Sequence, residues 1–479
     1  MALDLVVRNG LVTTSQSEAR LDIGIAGDDI VVLSPDLSGQ EAGQVIDAGG
    51  ERVFPGFIDP HTHMELPVSG TVSSDDFYTG TVAAACGGIT TIVDFAGAVR
   101  GQSLVEAMQI WRHRADPKVA IDYGLHMIVP ELEDWQLDEI PKLVEAGITT
   151  VKCMMAYKRG PHGSGDATLL RVIWKARESG ALPMVHAENG DAIDVTVDRL
   201  LAEGCTEPRW HPVSRPAELE AEAIYRACVL ASLAEMPMYI VHLSSGAGLE
   251  MINACRRNGW PVLTETCPQY LTLTAEEYER PGFEAAKYVC SPPLRTDADR
   301  RRLWQGLERD EISLVASDHC PFFFEGQKER GLEEFSGIPN GVPTIQPMFS
   351  LVFSEGVGSG RISMRRFVEL SSTNAARIFG MYPRKGEIAE GSDADLVIFD
   401  PHREVKLSRS IGVPSPLRER VDYTPYEGRV VTGWPDTVIA RGEVVVIEGE
   451  PTEGMSAGRG RYVSRGRFDP ATVALVAGR

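Results

Sequence analysis

The two ends of the chain share one hydrophobic pattern, and the middle follows another. Near the start, apolar and polar residues alternate in residues 5–10 and 23–26, and the same alternation returns in residues 394–399 and 437–444. A period of two, broken by glycine-rich turns, is typical of short β-strands. The sequence therefore predicts a small β-sandwich built from both chain ends, residues 1–54 plus 384–450.

The middle, residues 55–383, alternates short apolar runs with segments of helical periodicity such as residues 103–114 and 217–234. Eight runs separated by helices are typical of a (β/α)₈ TIM barrel, so we predict an α/β protein. A glycine- and arginine-rich tail, residues 451–479, follows the β-sandwich. The apolar runs are residues 53–58, 89–95, 121–129, 148–155, 182–187, 238–243, 261–266 and 312–318.

The composition of the chain limits which binding partners and which cellular location we expect. The chain has 479 residues and a formal net charge of −21. A surface that acidic repels phosphate backbones and anionic lipids, so we expect no nucleic acid and no membrane partner. No stretch approaches the roughly 20 apolar residues that span a bilayer, and the start does not resemble a signal peptide. The eight cysteines lack C-x-x-C spacing, which suits free thiols and predicts a cytoplasmic protein.

Polar side chains stand where the apolar runs end, which is where such barrels carry their chemistry. The first run leads into His61 and His63, which face the same way because strand positions two apart do. Each such residue has an ordinary explanation on its own, such as a buried imidazole or a helix cap. Four of only 10 histidines stand at these ends, so the joint pattern is more specific than its members. The other ends carry Lys152, His186, His242 and Asp318.

Imidazole nitrogens and carboxylate oxygens suit zinc first, and also manganese, iron or cobalt. Six ligands exceed what one tetrahedral zinc needs, and they suit two divalent cations about 3.5–4 Å apart. Lys152 is difficult to explain as a buried ammonium without a partner. If its neutral amine captures carbon dioxide, it becomes an anionic carbamate that can bridge two cations. We therefore predict two divalent metal ions per chain and an N6-carboxylysine at Lys152.

Longer segments around these residues resemble the dihydropyrimidinase and D-hydantoinase family of the amidohydrolase superfamily. The segments are residues 56–63, 152–158, 185–190, 290–295, 317–322 and 421–428. The resemblance implies that one metal is held by His61, His63 and Asp318. It implies that His186 and His242 hold the other, with carboxylated Lys152 bridging both.

The resemblance also implies roles at the substrate. Tyr157 would donate a hydrogen bond to the developing oxyanion, and backbone groups of Ser291 and Asn340 would hold the cyclic imide. Asp318 would take the proton of the attacking water and pass it to the leaving nitrogen. The implied reaction opens the ring of dihydropyrimidines or 5-substituted hydantoins to N-carbamoyl amino acids. By the same resemblance we expect a homotetramer or homodimer, with the tail contributing to contacts between subunits.

The substituent pocket is expected to be open. The loop after Tyr157, residues 158–165, lacks the bulky aromatic side chain expected of many hydantoinases. We expect Met64, Met154 and Pro161 to line the pocket, because methionine adapts to different shapes. Two further polar residues are expected either to orient the metal ligands or to be ordinary residues at a wet barrel mouth. These are Glu188 and His319.

Other functions in the superfamily are alternatives. Dihydroorotase binds a carboxylated ring through an arginine two residues after H-x-H, whereas Glu65 stands at that position here and disfavours such a substrate. Allantoinase stays open, because allantoin is a substituted hydantoin without a carboxylate. Non-enzymatic relatives that act as assembly proteins lose metal ligands, and all six are present here.

Overall fold

The computed structural model describes residues 2–476. Its first five strands come from the N-terminal part of the chain, where the period of two predicts them. Strand β1 pairs antiparallel with β2 and parallel with both β4 and β5. The strands are β1 (Leu3–Thr13), β2 (Glu18–Ala26), β3 (Asp29–Ser34), β4 (Ala42–Asp47) and β5 (Arg52–Pro55).

Eight parallel strands of the middle form the barrel, as the apolar runs predict. The barrel closes where Thr62, at the end of the first strand, forms a parallel bridge with His319, which follows the last one. The barrel strands are β6 (Phe57–Thr62), β9 (Ile89–Gly97), β10 (Asp122–Val129), β11 (Thr150–Met154), β12 (Leu182–His186), β13 (Met238–Ile240), β14 (Val262–Thr266) and β15 (Leu314–Val315). A short hairpin of β7 (Pro67–Val68) and β8 (Thr71–Val72) follows the first of them.

One apolar run divides between two sheets. The run 53–58 supplies β5 to the sheet of the chain ends and β6 to the barrel. Gly56 lies between these strands, and a Cβ atom there would collide with the side chain of Thr90. A residue without a side chain is therefore required at the crossover.

Helices surround the barrel, and the two amphipathic segments singled out in the sequence are both helical. The Ser103 hydroxyl begins α2 by accepting a 3.2 Å hydrogen bond from the N–H of Glu106. The helices are α1 (Phe77–Cys86), α2 (Leu104–Ala115), α3 (Asp134–Leu137), α4 (Ile140–Glu145), α5 (Asp166–Ser179), α6 (Gly190–Ala202), α7 (Trp210–Ser214), α8 (Ala217–Leu233), α9 (Gly246–Arg257), α10 (Pro268–Thr272), α11 (Asp297–Glu308), α12 (Met348–Val352), α13 (Met364–Val368), α14 (Asn374–Ile378) and α15 (Ala471–Val476). No helix of residues 2–476 is both long and apolar enough to cross a membrane.

Both chain ends contribute strands to one β-unit, as predicted, and these strands form a single sheet. The C-terminal strands are β16 (Leu396–Lys406), β17 (Val430–Ala440), β18 (Glu443–Ile447) and β19 (Glu450–Pro451). Strand β16 pairs antiparallel with β5, which joins both ends into one continuous sheet of nine strands. Apolar side chains from both ends share one core, including Leu5, Ile23, Leu396 and Ile439. The domain boundaries given above stay predictions.

A buried group of charges joins this sheet to the barrel. We call it the junction cluster, and it consists of Lys385, Asp122, Asp393, Asp395 and Arg441. The Lys385 ammonium lies 2.9 Å from Asp122, 3.0 Å from Asp393 and 2.6 Å from Asp395. Arg441 adds a 2.9 Å ion pair to Asp122. Each charge is paired, so the cluster can be buried without a large desolvation penalty.

The tail lies across the N-terminal ends of the barrel strands of its own chain. The N–H of Gly460 donates to the carbonyl of Val119 at 2.9 Å, and the N–H of Val463 donates to that of Tyr123 at 2.7 Å. This part of the tail therefore packs on its own barrel, and contact with a neighbouring subunit stays a prediction. Residue 1 of the predicted β-sandwich and residues 477–479 of the predicted tail lie outside the part of the chain that the structure describes.

Candidate active site

Two histidines and an aspartate meet at one side of the barrel mouth. His61 lies on β6 and His63 follows that strand, so both rings face the barrel axis. Their Nε2 atoms lie 3.1 Å and 3.3 Å from the same oxygen of Asp318. Asp318 follows β15 with a φ of +50°, a left-handed conformation that aims its carboxylate at the two rings. These three residues form a group with metal-ligand chemistry.

Lys152 lies beside this group, in the middle of β11. Its Nζ atom is 3.1 Å from Nε2 of His61 and 4.0 Å from the centre of the Phe95 ring. The side chain is only 1% exposed, and no ion pair of the described residues includes it. Burial lowers the pKa of the Lys152 amine to about 8. About one tenth of the amine is therefore neutral at pH 7, against well under one thousandth for an ordinary lysine.

His186 and His242 form the other side of the mouth. His186 ends β12 and His242 follows β13, and their ring centres are 4.5 Å apart. The ring of His242 lies 5.5 Å from that of His61, so the two sides are adjacent. Nε2 of His186 lies 2.7 Å from Glu188, whose carboxylate also pairs with Arg215 at 2.9 Å. Burial opposes ionisation of Glu188, but Arg215 and His186 outweigh it and lower its pKa to about 2.

Sequence reasoning missed Glu265, a fully buried carboxylate at the centre of the mouth. Its side chain contacts Nδ1 of His61 and accepts a 3.1 Å hydrogen bond from the N–H of His242. The Tyr239 hydroxyl donates to its other oxygen at 2.6 Å. Such contacts orient a ligating imidazole and raise its basicity. The available signal was a single acidic residue within the apolar run 261–266.

The residues present fit a cation site. Burial lowers the pKa of His63 to about 4, although the contact with Asp318 opposes this, so the ring is neutral and able to bind a metal. Nδ1 of His63 and Nδ1 of His242 are buried without a hydrogen-bond partner among the described residues. Imidazoles and a carboxylate around one point are donors that bind zinc.

A cavity of about 690 Å³ opens above these residues. The proposed metal ligands His63, Lys152, His186, His242 and Asp318 line its floor. Five further residues named from the sequence also line it: Tyr157, Ser291, Asn340, Met154 and Pro161. The side-chain amide of Asn340 lies 3.4 Å from the Tyr157 hydroxyl. Burial raises the pKa of Tyr157, so its phenol stays protonated. The Ser291 hydroxyl is buried and has no hydrogen-bond partner within residues 2–476.

Met64 does not line the cavity, which corrects its predicted role. It directly follows His63, but its side chain is fully buried and belongs to the hydrophobic core. There its sulfur packs against Gly80 of α1. Residues that the sequence did not single out form much of the apolar wall instead. They are Leu66, Pro67, Val68 and Ile128.

His319 lies behind the mouth and contacts three segments that surround it. Its Nε2 atom lies 3.0 Å from Asp75, and its Nδ1 atom accepts a hydrogen bond from the N–H of Thr344 at 3.1 Å. Its carbonyl accepts the N–H of His63 at 2.9 Å. His319 therefore acts on the neighbouring ligand through its backbone, whereas Glu188 contacts His186 directly.

Comparison with known proteins decides the family. The sequence profile described as the amidohydrolase family matches residues 52–445. The chain belongs to the amidohydrolase family. It is similar to D-hydantoinase of Geobacillus stearothermophilus, with 45% identity over 468 residues, covering 97% of each chain. It is 40% identical over 471 residues to D-phenylhydantoinase of Escherichia coli, covering 98% of this chain and 100% of the relative.

A solved structure gives the same result. The crystal structure of dihydropyrimidinase from Brevibacillus agri superimposes with a TM-score of 0.94 at 45% identity, over 97% of this chain and 99% of that one. These full-length likenesses confirm the prediction of a cyclic amidohydrolase and favour it over an allantoinase or an assembly protein. Membership of the family also implies a binuclear site for divalent metal ions.

Proposed function

We propose that this amidohydrolase opens the ring of 5-substituted hydantoins and of dihydropyrimidines to N-carbamoyl amino acids. The observation that carries the proposal is the position of Lys152, buried 3.1 Å from His61 on the wall of a cavity that also presents Tyr157, Ser291 and Asn340. A buried lysine ammonium in contact with an imidazole is unfavourable. The lysine is easier to bury if it loses its positive charge or is converted to an anion.

The six residues at the mouth would hold two divalent cations, with zinc as the first candidate. His61, His63 and Asp318 would bind one cation, and His186 and His242 would bind the other. When bound, the cations supply a water molecule of lowered pKa and polarise the ring carbonyl. Glu265 and Glu188 would fix the orientation of the imidazoles, since each contacts the ring of a proposed ligand.

Lys152 would bridge the cations as a carbamate. Its neutral amine nitrogen forms a bond to the carbon of carbon dioxide, and the nitrogen releases one proton. The product carries one negative charge in place of the positive charge of an ammonium group. Burial favours this reaction, because it lowers the pKa of the amine to about 8 and so supplies the neutral form.

Asp318 and Tyr157 would carry the proton and stabilise the oxyanion. As the oxygen of water bonds to the ring carbonyl carbon, Asp318 accepts its proton and delivers it to the ring nitrogen when the C–N bond breaks. The Tyr157 phenol donates a hydrogen bond to the carbonyl oxygen, where negative charge accumulates. Backbone groups of Ser291 and Asn340 would hold the alternating C=O and N–H groups of the ring.

The cavity favours apolar substituents on the ring. Leu66, Val68, Ile128 and Met154 line it, and a volume of about 690 Å³ exceeds what an unsubstituted ring needs. We also propose a homotetramer or homodimer, and a cytoplasmic location that suits the eight free cysteines.

Metal content and ring opening test the proposal together. Protein purified without chelators is expected to contain about two divalent ions per chain, and chelation should abolish activity. An ultraviolet ring-opening assay should show turnover of hydantoin, dihydrouracil and 5-phenylhydantoin, with allantoin a poor substrate. Full activity in metal-free protein would contradict the metal site. Turnover of allantoin alone would contradict the proposed substrate class.

A further inference from the structure

A second buried lysine lies behind the loops that carry Ser291 and Asn340. Lys328 is 0% exposed. Its ammonium donates three hydrogen bonds to carbonyl oxygens, at 2.8 Å to Val289, 2.7 Å to Pro339 and 2.8 Å to Gly341. No ion pair of the described residues includes it, so the charge is balanced by the three carbonyl dipoles and by the Phe322 ring, whose centre lies 5.7 Å from Nζ.

The three carbonyls belong to the two loops proposed to hold the ring. Val289 lies two residues before Ser291, and Pro339 and Gly341 lie on either side of Asn340. The loops also touch each other, since the N–H of Gly341 donates to the carbonyl of Val289 at 3.0 Å. Lys328 thus connects both loops at one point, and it does not itself line the cavity.

The geometry constrains a substrate-facing group. In a trans peptide unit, a carbonyl and the following N–H point in opposite directions. Because the Pro339 carbonyl points at Lys328, the N–H of Asn340 points away from it. Within residues 2–476, no group accepts a hydrogen bond from that N–H. It is therefore free for a carbonyl of a bound ring.

We propose that Lys328 is a positioning residue that sets the relative placement of the two ring-holding loops. The inference rests on the proposed function, because it takes the cyclic imide as the ligand of those loops. An ammonium suits the role because it has three donors and no acceptor. A neutral amine has only two hydrogens and would turn its lone pair toward a carbonyl oxygen. Burial lowers the pKa of Lys328 to about 7. The three hydrogen bonds to carbonyl oxygens act in the opposite direction, because they stabilise the charged ammonium.

The test replaces Lys328 with a side chain of similar size that cannot donate. In metal-loaded Lys328→Met, we expect KM for hydantoin and dihydrouracil to rise by about tenfold or more, because three carbonyls lose a charged donor. We expect kcat to change less, and metal content to stay at the wild-type value. Lys328→Gln, which retains two donors, should show a smaller rise in KM. Lys287→Met is the matched control, since Lys287 pairs with Glu284 near the surface of the same region, and its KM should be unchanged.

KM is measured on folded, metal-loaded molecules, so a lower yield does not obscure the result. A wild-type KM in Lys328→Met would overturn the inference, as would failure of both Lys328 variants to fold, which would assign the lysine to the fold alone. Failure of the proposed function looks different. In that case the wild-type protein itself would not open hydantoin or dihydrouracil.

Discussion

The barrel mouth and the junction cluster each bury a lysine, but their surroundings have opposite effects on its charge. Lys385 is 2% exposed and lies within 3.0 Å of three carboxylates. Burial alone would lower its pKa, but Asp395, Asp122 and Asp393 raise it well above the ordinary value. Lys152 is 1% exposed and contacts an imidazole, and burial lowers its pKa to about 8.

The difference separates a group that completes the fold from a group reserved for a ligand. At the junction cluster, opposite charges balance within the protein, so nothing further needs to bind. At the mouth, four imidazoles, the carboxylates of Asp318 and Glu265 and an amine converge, and nitrogen atoms of His63 and His242 have no hydrogen-bond partner among the described residues. Such an arrangement leaves donor atoms for a ligand, which is why we expect substitutions in the two regions to affect different properties.

The largest effect is expected from Lys152→Ala. Without the proposed bridge, metal content should fall well below two ions per chain, and kcat/KM should drop by about a thousandfold or more, because several kcal/mol of transition-state stabilisation are lost. The circular dichroism spectrum should stay that of the folded protein. A short carboxylic acid in bicarbonate-depleted buffer should restore part of the activity by supplying the missing anion.

A Lys152→Ala protein that keeps two metals and normal turnover would make this lysine a structural residue like Lys385. The distinction drawn between the two regions would then be lost, and with it the binuclear mechanism proposed here.

The next effect concerns stability. Replacing the two lysines should change the free energy of unfolding in opposite directions. Lys385→Met leaves the buried carboxylate of Asp395 without an ion pair among the described residues and should lower the free energy of unfolding by about 3–5 kcal/mol. In chelated protein, Lys152→Met should raise the free energy of unfolding at pH 7 by about 1–3 kcal/mol, because it removes a buried amine with a lowered pKa. Urea titrations of the chelated proteins measure both changes. A loss of stability in chelated Lys152→Met would contradict the comparison.

The pH dependence of these changes follows from the pKa shifts. Because the folded pKa of Lys152 lies at about 8, below the ordinary lysine value of 10.5, its unfavourable contribution is fully present below pH 8 and fades as pH rises to 10.5. The advantage of Lys152→Met should therefore shrink over that interval. The folded pKa of Lys385 is raised instead. Its favourable contribution is present below the unfolded pKa and is lost only at higher pH.

Much of the barrel and its mouth could be predicted because the signals are local. Apolar runs define the strands, and the side chains at their ends follow from strand direction. Met64 was misplaced because it lies in the loop after β6, where no regular period shows which way a side chain points. The roles of Glu265 and Lys328 could not be predicted in this way. Each acts through contacts with distant segments, such as Glu265 with His61, and those contacts exist only once the strands and loops are assembled.

The smallest effect should come from the two methionines that the sequence assigned to one pocket. Met154 lines the cavity at the end of β11, whereas Met64 packs against Gly80 in the core. Met154→Ala should lower kcat/KM for 5-phenylhydantoin by about three- to tenfold relative to hydantoin, because an apolar contact with the substituent is lost. Met64→Ala should leave that ratio unchanged and lower the free energy of unfolding by about 2–5 kcal/mol, since it opens a cavity in the core. Assays on both substrates, with urea titrations of the same samples, separate the two outcomes. If Met64→Ala altered the substrate ratio as much as Met154→Ala, the boundary between mouth and core would lie elsewhere than the structure places it.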